Sequence, residues 1–413
     1  MMRFAILGGS FDPVHNGHIH LARSALTLGY DRVIFVPAFH SPFKPAEQGG
    51  SADVRLQMLL SVICAQREFT VDPCEIKREG LSYTVDTLND IILRYVPEGK
   101  PALILGDDLA GNFDKWKDAG KIASMADIII AGRTKPLLRN FKYPFTHLDN
   151  DIMELSSGAV RRLIKDGKAW KDLVPETAKR IIEQNGLYAG GGVDKDDATV
   201  LASSSFVFDQ VGNKTTWSGG ASPPIIYEIE TKVRMTLNSY RFIHSRNVAL
   251  HCYDLCRRFN FDADKGYIAG ITHDFCKGLT GEQMIECAKK DGLGFTREEI
   301  DQPKLLHGRA AAIMLGEVFG IEDEEIIEAV RYHTTGKRGM CALSKLVYLC
   351  DKIEAGRTTV DRNLRILAFT NSGCSADGLF NCVFKATVEW LLERKLSISD
   401  ETLAMLDEME NCR

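Results

Sequence analysis

Two groups of residues in this 413-residue chain have the types and spacing to act on phosphates. The first lies in the stretch GGSFDPVHNGH, where Gly8 and Gly9 precede His15 and His18. Glycines let a ligand approach the backbone, and histidines three apart at a helix entrance can point at one phosphate chain. Two like unit charges about 4 Å apart repel by roughly 4 kcal/mol at an effective dielectric near 20. An anion attacking a triphosphate therefore needs N–H donors, a lysine and Mg²⁺ around it, and little covalent help. The second group is spread over the other half as RFIHS, ITHDFCK, LLHGRA, RYHTTG and LCDKIEAGR. There His244, the adjacent His273 and Asp274, His307, His333 and Asp351 form a donor set for borderline or hard cations, and Asp274 could bridge two of them.

Each group needs a scaffold, and the two halves supply different ones. From Arg3 to about Tyr188, short β-branched runs (RFAIL, RVIFVPA, FTVDP, ALILG, DIIIAG) alternate with helical patterns such as VRLQMLLSVICA and SYTVDTLNDIILRY. This alternation predicts an α/β domain with a parallel sheet covered by helices on both faces. RFAIL becomes the first strand and GHIHLARSALTLG the first helix. The glycine and histidine stretch is then the connecting turn at the carboxyl edge of the sheet, where ligands bind. A last helix begins near Pro175 and ends at Gly186. Residues 189–222, rich in Gly, Ser and Asp, read as a linker, with a possible hairpin about Gly212 and Asn213. Residues 223–413 carry amphipathic helical period throughout and read as an all-α domain.

Composition narrows the function classes. Hydrophobic residues at 45% and charged residues at 26% are the balance of a globular protein of two or three domains. A net charge of −5 with no Lys/Arg block leaves no footprint for wrapping nucleic acid or coating a membrane. No apolar run of about 18 residues and no secretory leader pattern occurs, so a cytoplasmic location is expected. Eleven cysteines without a C-x-x-C pair suggest neither a disulfide framework nor a zinc ribbon. Cys252, Cys256 and His251 are expected in the helical core.

The first half resembles the H-x-G-H nucleotidyltransferases, above all the nicotinate mononucleotide adenylyltransferases. Beyond the first turn the resemblance rests on SPFKP, LSYTVDTL, LGDD, Trp116, AGR and LSSGAVRR. It implies a Rossmann-like fold and transfer of the adenylyl group of ATP, with Mg²⁺, to nicotinate mononucleotide. His15, His18 and Lys44 take the catalytic positions. Gly8, Gly9, Ser10, Phe11, Arg55, Gly106, Asp108, Arg133, Ser157 and Arg161 take nucleotide-binding positions, and Tyr83, Thr84 and Trp116 those that hold the pyridine ring. Gly158 stands where that family usually has Thr or Ser. Pantetheine phosphate or a nicotinamide nucleotide is the nearest competing acceptor.

The second half, from about Tyr227 to Arg357, resembles the HD-domain phosphohydrolases, most closely symmetrical bis(5'-nucleosyl)-tetraphosphatases of the YqeK type. The resemblance implies a dinuclear metal centre, with iron as the metal it suggests. His244, His273, Asp274 and Asp351 would hold one ion, and His307 and His333 the other with Asp274 shared. Lys277 and Arg357 would meet the phosphates of a dinucleoside polyphosphate. A module that senses nucleotides without cutting them is the competing reading, and a cyclic dinucleotide or guanosine alarmone the competing substrate. Apolar stripes such as VEWLLERKL leave a homo-oligomer open.

Overall fold

A computed structural model describes residues 2–42, 49–132, 141–150, 155–189, 223–357, 360–370, 373–396 and 398–411. The chain divides into two compact units, Met1–Ser203 and Ser204–Arg413. The linker and hairpin readings fall on residues outside the described ones, apart from Ala189.

In the first unit, strands β1 (Phe4–Gly9), β2 (Arg32–Pro37), β3 (Phe69–Val71), β4 (Ala102–Gly106), β5 (Asp127–Ala131) and β6 (Phe145–Leu148) form one sheet. Its order is β3-β2-β1-β4-β5-β6, and every pairing is parallel. This is the doubly wound order, in which the connections reverse direction between β1 and β4 and leave a crevice beyond their carboxyl ends. Sequence explains the burial: β2 is covered along its whole length, as its uninterrupted apolar run requires. Helices α1 (Asn16–Leu26), α2 (Ala52–Ile63), α3 (Cys74–Arg78), α4 (Thr84–Tyr95), α5 (Asp107–Ala110), α6 (Ala119–Met125), α7 (Ser157–Lys165) and α8 (Glu176–Gln184) connect or follow the strands. In α4 the buried Val85, Leu88, Ile91 and Tyr95 follow the helical period, and Tyr95 meets Phe4 of β1 with ring centroids 5.6 Å apart. One boundary differs from the sequence reading: β1 runs through Gly8 and Gly9, so the turn itself is Ser10–His15. Pairing of Gly8 with Val36 and Gly9 with Pro37 extends the strand, because β2 continues to that edge.

No strand occurs among the described residues of the second unit. Its helices are α9 (Pro223–Thr236), α10 (Ser239–Phe259), α11 (Ala263–Thr272), α12 (Gly281–Ala288), α13 (Arg297–Asp301), α14 (His307–Phe319), α15 (Glu324–Tyr332), α16 (Ala342–Ile353), α17 (Arg362–Phe369), α18 (Ala376–Glu393) and α19 (Asp400–Asn411). Two close approaches bring them together. A Cβ on Gly270 of α11 would lie 2.5 Å from the Ala249 Cα of α10. On Gly308 of α14 it would lie 2.8 Å from the Arg331 carbonyl oxygen of α15. Only glycine allows such contact, and each lies within three residues of a histidine discussed below. Cys252, Cys256 and His251 are buried, as expected. The VEWLLERKL stripe splits: Val388 is core, whereas Trp390, Leu392 and Leu396 are exposed. No described helix is long and apolar enough to cross a membrane.

Candidate active sites

The turn of the first unit is built on buried groups. Phe11 adopts a left-handed φ of 51° and packs under the turn against His18 and Phe35, with ring centroids 4.9 and 5.7 Å away. Any ligand contact at Phe11 is therefore through its backbone. The rings of His15 and His18 stack at 3.7 Å. His18 Nδ1 accepts a hydrogen bond from the His15 backbone N–H at 3.2 Å, which in a neutral ring leaves the proton on Nε2. Gly8 is exposed at the strand end with open space where a side chain would be. Across the crevice, β4 ends at Gly106, and the exposed Asp108 lies in the first turn of the short α5.

Three other segments close around the turn. Ser157 Oγ of α7 donates to the Pro13 carbonyl at 2.9 Å, and Arg161 Nη1 donates to the Asp12 carbonyl at 2.5 Å. Arg55 is only 4% exposed, and its guanidinium donates to the carbonyls of Ser10, Ala38 and Phe39. It supports the turn from beneath. Ser82 accepts from the Phe39 N–H, tying the Tyr83–Thr84 segment to the loop after β2. Tyr83 and Thr84 are half-buried, with Lys117 Nζ 4.5 Å from the Tyr83 ring centroid. Trp116 is also half-buried and packs against Phe113 at 5.3 Å. Lys44 and Arg133 lie outside the described residues. Sequence reasoning missed Asp12. Its carboxylate is fully buried and accepts from the Gly50 N–H at 2.9 Å and the Tyr188 hydroxyl at 2.6 Å.

In the second unit the six metal candidates converge. His244 comes from α10, His273 and Asp274 from the end of α11, His307 from the start of α14, His333 from the end of α15 and Asp351 from α16. Donor atoms of His244, His273 and Asp351 lie within 4.8 Å of one another, as do those of His273, Asp274 and His333. His307 Nε2 is 3.0 Å from His333 Nε2 and 3.2 Å from Asp274 Oδ1. The Nδ1 atoms of His273, His307 and His333 each meet the carbonyl three residues earlier, at 2.6–2.7 Å. Those carbonyls can only accept, so Nδ1 carries the proton and Nε2 turns inward with its lone pair. His273 Nε2 is buried without a hydrogen-bond partner. An orphaned, unprotonated nitrogen among carboxylates is what a cation site needs, so the residues fit a metal.

Glu354, which sequence reasoning also missed, orients His244 by accepting at 3.1 Å from Nδ1. Burial disfavours charge on His244, but the carboxylates of Asp351 and Glu354 outweigh it and lift the imidazole to about 9. Burial drives His273 down to about 3 and His307 to about 4. Burial opposes ionisation of Asp274, yet His273, His307, His333 and Lys277 hold its carboxyl well below the usual range. Asp351 is likewise held down by Lys352, His244 and Arg357.

A third cluster, Asp72, Cys74 and Asp90, has similar spacing but different chemistry. Arg94 binds both carboxylates at 2.7–3.0 Å and Tyr95 donates to Asp72, so the oxygens a metal would use already have partners. Burial pushes the Cys74 thiol up, away from the thiolate a metal requires.

A doubly wound sheet with paired histidines at its switch point defines an α/β nucleotidyltransferase-type domain, and the convergent His/Asp set defines an HD-type domain. Comparison with known proteins agrees. The cytidylyltransferase-like family model matches residues 6–163 and the HD domain model residues 241–356. A Treponema pallidum protein described as a "Probable nicotinate-nucleotide adenylyltransferase" is 37% identical over 202 residues, 45% of this chain and 99% of the relative. A Borreliella burgdorferi protein of the same description is 36% identical over 188 residues, 45% and 97% of the two chains. Among solved structures, a "predicted HD superfamily hydrolase involved in NAD metabolism" from Clostridium acetobutylicum is 30% identical, covering 46% of this chain and 94% of that one at a TM-score of 0.40. The Plasmodium falciparum nicotinic acid mononucleotide adenylyltransferase is 18% identical, covering 46% and 98% at a TM-score of 0.39. Through its first half this chain belongs to the nicotinate-nucleotide adenylyltransferase family, and its second half carries an HD domain.

Proposed function

We propose that the chain is a bifunctional enzyme with an adenylyltransferase over residues 1–188 and an HD phosphohydrolase over residues 223–413, joined by a linker at 189–222. In the first reaction a 5'-phosphate oxygen of nicotinate mononucleotide bonds to the α-phosphorus of ATP. The bond from that phosphorus to the β-phosphate bridging oxygen breaks, giving nicotinate adenine dinucleotide and pyrophosphate. His18 Nε2–H and its stacked partner His15 donate to the phosphates, with Mg²⁺ and Lys44 adding positive charge. Gly8 and Gly9 at the end of β1 and Ser10 and the Phe11 backbone in the turn face ATP, Gly106 and Asp108 face the nucleotide across the crevice, and Ser157, Arg161 and Arg133 complete the ATP side. Tyr83, Thr84 and Trp116 enclose the pyridine ring. The observation that carries this reading is the stacked histidine pair at the β1–β4 switch point of a chain in this family.

In the second reaction water attacks one inner phosphorus of diadenosine tetraphosphate. The anhydride oxygen between the two inner phosphates leaves with the other half, so two ADP form. His244, His273, Asp274 and Asp351 would hold one ion, and His307 and His333 with Asp274 would hold the other. A dinuclear centre, iron by resemblance, supplies Lewis-acid charge and lowers the pKa of water when bound. Lys277 and Arg357 meet the phosphates. The inward Nε2 atoms of three carbonyl-anchored histidines around Asp274 support this reading most. Incubating the purified chain with ATP and nicotinate mononucleotide, and separately with diadenosine tetraphosphate, should give the dinucleotide and ADP respectively. Failure to form either product removes that half of the proposal.

A further inference from the structure

Four cations line the carboxylates of the helical site, and two of them, Arg241 and Lys352, have no part in the assignments above. Lys352 Nζ lies 2.8 Å from Asp351 Oδ2 and Arg357 Nη2 2.6 Å from Asp351 Oδ1. Arg241 Nη1 lies 3.8 Å from Asp274 Oδ2 and Lys277 Nζ 3.5 Å from Asp274 Oδ1. Lys277 Nζ is also 2.8 Å from His307 Nε2, so its ammonium stands on donor atoms that a metal would take. The side chains of Arg241, Lys277, Lys352 and Arg357 remain 22–44% exposed and can swing toward solvent.

Charge counting makes this arrangement informative. Asp274, Asp351 and Glu354 are three negative groups, and the four lysine and arginine cations, together with His244 between Asp351 and Glu354, already outnumber them. Once Asp274 and Asp351 bind ions, their charge no longer offsets the lysines and arginines, which are left facing an excess of positive charge in a partly buried site. A single phosphate monoester, with about two charges, cannot balance that excess. A run of several phosphates can.

We infer that Arg241 and Lys352 are further substrate-binding residues. Together with Lys277 and Arg357 they exchange an internal carboxylate partner for the phosphates of an oligophosphate chain when metal enters. The inference rests on the metal-dependent phosphohydrolase reading and adds Arg241 and Lys352 to the groups that meet its phosphate chain.

The test uses the full-length chain, with methylenebisphosphonate as a probe that cannot be cleaved at its P–C–P bridge and inorganic phosphate for comparison. Binding is measured by calorimetry on Mn²⁺-loaded and chelator-treated protein, with bound Mn²⁺ counted by elemental analysis. The loaded wild type should bind the bisphosphonate at least about tenfold more tightly than the stripped protein, and inorganic phosphate much more weakly. Lys352→Met and Arg241→Met should each lose about tenfold, the scale of one hydrogen bond to a charged group, while keeping the wild-type Mn²⁺ content. Lys352→Arg should restore binding. Any contribution from the first unit is the same in every variant and drops out of the comparison. Unchanged bisphosphonate affinity with Mn²⁺ retained in both Met variants overturns the inference, as does loss of Mn²⁺ in step with affinity. A wild type that binds no Mn²⁺ instead defeats the underlying phosphohydrolase reading.

Discussion

The Tyr188 hydroxyl donates a 2.6 Å hydrogen bond to the buried Asp12 carboxylate, 176 residues earlier in the chain. The same carboxylate receives the Gly50 N–H, and Arg161 reaches the Asp12 carbonyl. The end of the α/β unit is thus fastened to the turn that carries the histidine pair. Tyr188→Phe removes one of these bonds and should cost about 1 kcal/mol. Asp12→Ala strands every partner and should cost about 3 kcal/mol or more. Native-state hydrogen exchange of the β1 and β2 amides reads both values. Equal protection in Asp12→Ala and wild type would show that the fastening contributes nothing.

Metal binding to the helical unit should strengthen with pH. His244 must shed its proton to offer Nε2, and the carboxylates beside it hold that proton up to about 9. Binding near pH 7.5 therefore releases protons, which calorimetry in buffers of different ionisation enthalpy detects. Stability of the metal-free unit follows the opposite trend. The folded pKa of His244 lies above its unfolded value, so its contribution is complete below about 6.5 and is lost as pH rises through about 9. His273 and His307 are depressed to about 3 and about 4, so theirs is complete above about 6.5 and is lost as pH falls through those values. These three groups place the optimum of the metal-free unit near pH 6.5. A metal affinity that is flat between pH 6.5 and 9 contradicts the assignment of His244.

Gly308 lets α14 approach α15 closely enough for His307 and His333 to meet. Gly308→Ala pushes a methyl against the Arg331 carbonyl and should destabilise the unit by about 1–3 kcal/mol. On the two-metal proposal it should also lower bound metal from two ions per chain toward one, because His307 and His333, the proposed ligands of the second ion, separate. Full metal content in this variant would show that the helix spacing is not what sets the pair.

At Gly158 a Cβ would meet only Arg162 Nη1 at 3.8 Å and Ser156 Oγ at 4.0 Å, so a hydroxyl side chain fits without displacement. Gly158→Ser should lower KM for ATP by up to about fivefold, the scale of one added hydrogen bond, with kcat little changed. Steady-state kinetics with ATP varied decide it. An unchanged or higher KM means that this position does not face ATP.

Much of this architecture is legible in the sequence because hydrophobic period and turn chemistry are local. The β2 and β4 runs and the α4 stripe announce their elements. Strand length is less legible: Gly8 and Gly9 look like turn residues, yet pairing with Val36 and Pro37 keeps them in β1. The metal candidates are readable because histidine and aspartate advertise their chemistry by type. Asp12 and Glu354 do not, since each acts by holding another residue, and the partner is 110 residues away for Glu354 and up to 176 for Asp12. Arg55 shows the converse. The resemblance gives it a nucleotide-binding position, whereas its donations to three backbone carbonyls are visible only in the fold.

The central claim is that Asp274 anchors a hydrolytic metal centre separate in its chemistry from the adenylyltransferase. Both reactions assayed on the full-length Asp274→Ala variant test it most directly. ADP formation from diadenosine tetraphosphate should fall below about 1% of wild type, while dinucleotide formation from ATP and nicotinate mononucleotide stays within about twofold. Hydrolysis at the wild-type rate in this variant contradicts the account.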